Sequence, residues 1–369
     1  MMLYMKKTVW YLGAVAAGML MVQCNNVDNK ELVKFEAVKS AEPLAELVKS
    51  VEVVPLETDS VHFVGQNPDL LVCGDGYIVA DMQNSRIYHY SADGRFLNSI
   101  GSKGNGPREY VAVKDVQCSG NEVTVYAMPD KALVYSVDGN YISTVQAGAP
   151  GAQTYAAEGG WLTYYGYGMV SDKRLEYKSL SGEVTGYLPA DAKVISLSSP
   201  FPVFSDAADG GVLLADSFNP SILKFKNLEV SEYVTFDLGD LAVPESYYEY
   251  DDAFKAAESL FASKFAFPRR FFENEDWQFV EIFVQDKMKP APFYGICGRK
   301  GWIWFGPGSE DSPLLFSFRG FDNDGNLLCI VDPSLLSGLP GSIRGKVTDP
   351  DVLANAGPED NYLIFKLRL

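Results

Sequence analysis

The sequence predicts an all-β fold, a six-bladed β-propeller with a helical insertion between later blades, and three observations carry that expectation. Residues 76–110 (GYIVADMQNSRIYHYSADGRFLNSIGSKGNGPREY) are echoed about 45 residues on by residues 121–145 (NEVTVYAMPDKALVYSVDGNYISTV). Both stretches keep one order of apolar pairs, aromatic and Asp-Gly turn, the pattern of a blade made of several short strands. One blade cannot bury its own faces, so repetition implies a closed ring. The third observation is the strand-like end of the chain, residues 361–369 (NYLIFKLRL), which has no following partner. Its simplest partner is the blade containing residues 51–56 (VEVVPL), so that both termini share a blade and remove free edges.

The N-terminal residues 1–23 lie outside that fold. Lys6 and Lys7 precede an apolar run from Val9 to Val22 that is too short for a comfortable membrane span, the profile of a secretory signal. Residues 24–50 then form a tether and an approach segment, polar up to Lys34, with a short helical or irregular stretch at 44–48. Residue 51 onward is the propeller. Pro55 keeps the first strand at an edge, because proline donates nothing to a ladder.

Along the propeller, second strands are expected at 77–80, 123–126, 161–165, 212–215 and 302–305. Third strands follow at 86–90, 132–136, 174–178, 222–225 and 314–318. Asp93-Gly94, Asp138-Gly139, Ser181-Gly182 and Asp324-Gly325 mark turns to fourth strands, where both central residues can take positive φ. Residues 244–276 interrupt this rhythm. Pro244 suits a first helical position, and Tyr247, Tyr250, Phe254, Ala257, Phe261 and Phe265 recur at three- and four-residue steps, which predicts an amphipathic helix ended by Pro268-Arg269-Arg270.

Composition excludes several functions. The net charge of −17 becomes about −19 once Lys6 and Lys7 leave with the signal, and so acidic a body disfavours nucleic acid and anionic lipid. His62 and His89 are the only histidines, and no CxxC pair or Cys/His cluster occurs, so no metal centre or cofactor is expected. Cys73 and Cys118 are one repeat apart, a spacing that predicts too great a separation for a bridge, and the body's cysteines read as buried apolar residues. Neither GxSxG nor HExxH is present, so catalysis has little support. Glu310-Asp311 and 322–324 can offer oxygens to calcium, without EF-hand spacing.

Candidate binding residues fall in two places. The loop 101–110 is Gly-rich but lacks the Walker pattern and a following helix; its glycines suit an interblade crossing, with Lys103 and Arg108 able to meet an anionic group at the channel mouth. In the insertion, Tyr247, Tyr248, Tyr250, Arg269, Arg270 and Trp277 are expected to line a pocket roofed over the channel, suited to sugar rings or flat ligands. Packing alone is the other reading of that stripe. The Asp81, Asn84, Arg86 trio recurs in part at Asp216 and Asn219, which points to a structural turn rather than a unique site.

A family resemblance adds to this. The end of the signal (Leu20, Met21, Val22, Gln23, Cys24) resembles a bacterial lipobox, which implies acylation of Cys24. Residues 77–110 resemble an NHL-type repeat. With VPLET at 54–58, GxGPxEY at 104–110 and PEDNYLIFKL at 358–367, the chain after Cys24 resembles the six-bladed β-propeller lipoproteins of Bacteroidetes. The resemblance implies an outer-membrane lipoprotein of the cell envelope, periplasmic or surface-exposed. A binding module for a glycan, peptide or envelope protein, in a nutrient-capture setting, is the first functional expectation. A lyase or hydrolase acting on polysaccharide or peptide at the channel is the alternative.

Overall fold

The computed structural model describes residues 31–128, 131–146, 153–167, 171–190, 194, 202–286, 289–307 and 316–369. The signal, Cys24 and Glu310-Asp311 lie outside them. The chain opens with β1 (Glu31–Lys34), α1 (Glu42–Leu47) and β2 (Ser50–Pro55). Four complete meanders follow. They are β3 (Asp69–Cys73), β4 (Gly76–Asp81), β5 (Arg86–Tyr90), β6 (Phe96–Ser99); β7 (Val113–Ser119), β8 (Glu122–Ala127), β9 (Lys131–Ser136), β10 (Tyr141–Gln146); β11 (Gln153–Ala157), β12 (Gly160–Tyr164), β13 (Lys173–Ser179), β14 (Val184–Pro189); and β15 (Phe204–Asp206), β16 (Val212–Ala215), β17 (Ser221–Lys226), β18 (Glu229–Asp237).

After α2 (Ala253–Ala262) comes the fifth meander, β19 (Lys264–Glu273), β20 (Gln278–Asp286), β21 (Lys289–Gly298) and β22 (Gly301–Phe305). The sixth holds β23 (Ser317–Phe321), β24 (Leu327–Val331) and β25 (Leu363–Arg368), with α3 (Gly341–Arg344) and α4 (Pro350–Asn355) in the connection before β25. Six separate sheets result, the last in the order β2-β25-β24-β23. The fold is the six-bladed propeller.

β2, early in the chain, and β25, at its end, complete the sixth blade. Val51 sits opposite Leu367 and Val54 opposite Ile364 in an antiparallel ladder. Val51, Leu367 and Phe365 are all fully buried in one cluster with Phe318 and Cys329, so closure hides apolar area as well as two sheet edges.

The first strand of each blade lies nearest the axis, and neighbouring inner strands touch around the ring. Every seam carries a hydrogen bond. Gly74 N donates to Gly120 O (3.2 Å), Ala156 N to Gln117 Oε1 (3.1 Å) and Val203 N to Gln153 Oε1 (2.8 Å). Ser205 Oγ donates to Phe271 O (2.6 Å), Arg270 to Phe318 O (2.5 Å) and Arg319 to Pro68 O (2.8 Å). These bonds satisfy polar groups that convergence of the blades removes from water.

Four expectations need correction. The polar tether does not reach Lys34: β1 runs parallel to β18 as a fifth strand, Leu32 opposite Thr235, and Phe35 packs edge-on to Trp304 at 5.1 Å. Its alternating Val33 and Phe35 supply the buried face. Second, the helix of the insertion is only α2, capped by Asp252, whose carboxylate accepts from Phe254 N (3.0 Å) and Lys255 N (2.9 Å). The aromatic stripe past Ser263 belongs to β19, where Phe265 and Phe267 bury one face at two-residue spacing and the backbone pairs with β20. Phe265 fits a four-step count from Phe261 and a two-step count to Phe267, and cross-strand pairing decides between them.

Third, residues 302–305 form the outermost strand of the fifth blade, and Asp324-Gly325 turns from the first to the second strand of the sixth. β19, β20 and β21 are long, nearly continuous apolar runs without an Asp-Gly signal, so the repeat count skipped them. Fourth, Cys73 and Cys118 come close across the first seam: Cys73 Sγ lies 3.7 Å from Gly120 O, two residues past Cys118, and each thiol perturbs the titration of the other. Both stand on inner strands, where adjacent blades are closest.

Candidate functional site

Strand direction sorts the loops onto two ends of the ring. Turns from first to second and from third to fourth strands share one end and are short, as at 74–75, 120–121 and 227–228. The other end receives the second-to-third connections and the crossings between blades, including 100–112, 238–263 and 332–362. Long loops on a rigid ring are where recognition groups are usually carried, which makes this second end the candidate face.

The insertion caps that face near the third, fourth and fifth blades. Tyr247 is buried against Phe218, ring centroids 5.2 Å apart, and joins Ala256, Leu260, Phe265 and Phe267 in a small core. Tyr248 is half-buried and meets Tyr167 at 5.8 Å, and burial raises its hydroxyl pKa above the ordinary range. Tyr250 is half-buried at the edge of the same cluster. Beneath Tyr167 lies Arg174, 4.6 Å from the ring centroid, in an ion pair with the fully buried Asp216. Asp216 also accepts from Tyr164 Oη (2.8 Å) and Asn219 Nδ2 (3.3 Å). Those bonds hold the connection between β16 and β17, as Asp81 holds its own by accepting from Asn84 N (3.0 Å) and Gly65 N (2.9 Å).

Of the expected pocket residues, Tyr247, Tyr248 and Tyr250 come together, and Arg270, Trp277, Lys103 and Arg108 lie elsewhere. Arg269 and Arg270 lie on β19, Arg269 at a bulge between Pro268 and Arg270. Arg269 donates Nε to Glu281 Oε1 (2.8 Å) and lies over the Phe283 ring. Trp277 is in the turn between β19 and β20, at the short-turn end, about 30 Å along the strand from α2. Lys103 and Arg108 are exposed on the crossing 100–112, and Arg108 stacks 5.0 Å over Tyr141 of the next blade rather than reaching the channel. That crossing is tied internally: Gly106 N donates to Glu109 Oε2 (2.8 Å), and a Cβ at Gly104 would stand 2.0 Å from the same oxygen. Asp322, offered above to calcium, spends its Oδ1 on Asp324 N (3.0 Å) and Asn326 N (2.8 Å). Among the described residues no group of three or more His, Cys, Asp or Glu is placed to hold a metal.

A charged collar at the axis escaped the sequence reading. Asp69 on β3 stands 3.2 Å from Arg319 Nε of β23 and 3.6 Å from an Arg270 nitrogen of β19, so three blades meet at one carboxylate. Asp115 on β7 is 3% exposed; its Oδ1 accepts from Val116 N (2.8 Å), while Oδ2 accepts no hydrogen bond. Burial, reinforced by the negative charge of Asp69, pushes its carboxyl up to about 8, against the opposing effects of the Val116 bond and Arg270. Burial and Arg270 lower Arg319 to about 10. Asp69 and Asp115 are 46 residues apart, each on the first strand of its blade and five residues ahead of the turn glycine, Gly74 or Gly120, so the repeat itself was the signal that pairs them.

Among the described residues, no helix is long and apolar enough to cross a membrane. Solved structures share the fold, two of them from Bacteroides. A Bacteroides fragilis protein described as exported aligns with a TM-score of 0.72 and 16% identity over 92% of this chain and 99% of its own. A member of the DUF4221 family from Bacteroides vulgatus aligns with a TM-score of 0.54 and 9% identity over 87% of this chain and 96% of its own. At these identities the likeness is one of architecture. A comparison with curated proteins finds no match. The model of the domain of unknown function DUF4934 matches residues 32–339, and the chain belongs to that family.

Proposed function

We propose that this chain is an envelope lipoprotein, tethered through Cys24 to the outer membrane, whose loop-bearing end docks a protein partner. One observation carries the reading. Of the twelve exposed large apolar side chains among the described residues, Val61, Phe63, Val111, Met128, Phe254 and Leu335 lie on connections that join strands at that end; Leu180 and Leu228 alone lie on turns at the other. Phe254 is 79% exposed on α2, a helix otherwise anchored by Ala256 and Leu260. Apolar groups held on rigid supports in an acidic surround suit a protein surface better than a sugar. The NHL-like repeat, the lipobox resemblance and the fold shared with a protein described as exported support an envelope setting.

Removing residues 244–276 would take away the inner strand of the fifth blade, so the test keeps the backbone. A photo-cross-linking residue replaces Phe254 or Met128, and in parallel Leu180 or Leu228, in cells. Adducts confined to the first pair support the reading; equal adducts from both pairs remove it. For the anchor, Cys24→Ala should release the protein from membranes, and an unchanged membrane fraction would discard the lipidation.

The alternative, a lyase or hydrolase at the channel, is favoured by the Asp115 carboxyl, which burial and the charge of Asp69 raise to about 8. Polysaccharide or peptide turnover abolished by Asp115→Asn would support it, and turnover indifferent to that change would not.

A further inference from the structure

Where the first blade meets the second, two thiols face each other across the seam. Cys73 is the last residue of β3, and Cys118 is the next to last of β7. The backbone fixes their approach: Gly74 N donates to Gly120 O at 3.2 Å, and the Cys73 sulfur lies 3.7 Å from that same carbonyl oxygen. Cys73 Sγ also lies 4.0 Å from Glu122 O of the same hairpin, and the two thiols are near enough that each perturbs the titration of the other. Cys73 is buried with Ile78, Val116 and Val123, and Cys118, partly exposed, packs against that cluster and provides a route for a small reagent.

A disulfide requires Cα atoms within about 7 Å and side chains that converge. Thiols that face one another beside the Gly74 N to Gly120 O bond are placed to meet that demand with side-chain rotation. We propose that Cys73 and Cys118 are a disulfide-forming pair that covalently staples the first blade to the second. The inference stands on the geometry of the seam and does not depend on where the protein resides or what it docks. The oxidant is a disulfide, RSSR. One protein thiolate attacks it, forming a mixed disulfide and releasing RS⁻. The second thiolate then attacks the protein-bound sulfur and expels the other RS⁻. Two protein thiols are oxidised, one RSSR is reduced, and the two thiol protons end on two RSH. The link closes a loop of 45 residues and joins blades that otherwise share only non-covalent contacts.

The test treats the purified full chain with oxidised glutathione, then counts free thiols and maps peptides without reduction. The expected result is loss of two thiols per chain, one cross-linked peptide pair joining Cys73 to Cys118, no retained glutathione on either, and a higher melting midpoint that dithiothreitol reverses. In Cys118→Ser the oxidant should leave the midpoint unchanged. If that variant does not fold, the peptide map of the unmodified chain decides alone. Cys73 and Cys118 remaining free, each carrying its own glutathione, or joined instead to Cys297 or Cys329 would overturn the proposal.

Discussion

Arg319 of the last blade grips Asp69 of the first: its Nε stands 3.2 Å from Asp69 Oδ1, and its terminal nitrogen donates to Pro68 O at 2.8 Å. The ring is therefore closed twice, by the β2–β25 ladder at its rim and by this pair at its axis. Arg319→Met removes the axial closure and leaves a buried carboxylate with the Leu70 N–H (3.0 Å) and, as countercharge, Arg270 at 3.6 Å. Breaking one partner of such a pair costs about 3 kcal/mol or more. Urea denaturation should show that loss with an unchanged slope; a loss below about 1 kcal/mol would mean that the pair is incidental.

Asp115 gives a pH dependence with a definite sign. Its carboxyl is raised to about 8 in the folded chain from an ordinary value of 3.8, so the folded state holds the proton more tightly than the unfolded chain. The favourable state is fully present below the ordinary value and is lost as pH climbs toward 8. Stability should fall by a few kcal/mol between about pH 4 and pH 8 on this account. Asp115→Asn, which keeps the shape and cannot ionise, should flatten that fall. Parallel pH profiles for the two proteins would remove Asp115 as the cause.

The rim closure is tested by Phe365, fully buried on β25 between Val53 of β2 and Cys329 of β24. Phe365→Ala opens a cavity in the largest cluster and should cost about 3–5 kcal/mol. Leu97, exposed on the outer strand β6, should tolerate Leu97→Ala within about 0.5 kcal/mol. Thermal melts of both variants separate ring closure from a general sensitivity to apolar loss.

Gly104 tests whether the crossing 100–112 is a frame rather than a ligand cradle. A methyl there meets Glu109 Oε2, which also binds Gly106 N. Gly104→Ala should destabilise by about 1–3 kcal/mol, the cost of displacing a bonded carboxylate. Glu109→Ala combined with it should recover part of the steric loss. No recovery in the double variant would mean that the clash is not with Glu109.

The sequence was most readable where local chemistry and fold agree. Asp93-Gly94 and Asp138-Gly139 announce their turns because glycine supplies the positive φ, 84° and 83°, that these turns need. The pairing of Val51 with Leu367 was readable because two unpartnered strands at opposite ends of the chain have each other as the nearest solution. β19 was not, since an aromatic run from Phe254 to Phe272 satisfies helical and strand periods over different parts of its length. The collar was unreadable for another reason. Asp69 lies hundreds of residues ahead of Arg270 and Arg319, and only ring closure brings it to them. Trp277 shows the converse, a residue near the insertion in sequence that the β19–β20 hairpin carries to the opposite end.

The reading of the loop-bearing end as the docking surface rests on exposed apolar groups there, so opposing surface substitutions test it most directly. With the partner identified by cross-linking from Phe254, its affinity is measured for Phe254→Glu/Leu335→Glu and for Leu180→Glu/Leu228→Glu. The first pair should weaken binding at least about tenfold, a loss of about 1.4 kcal/mol, while the second stays within about twofold. Equal losses from both ends, or a loss only from Leu180 and Leu228, would contradict the account.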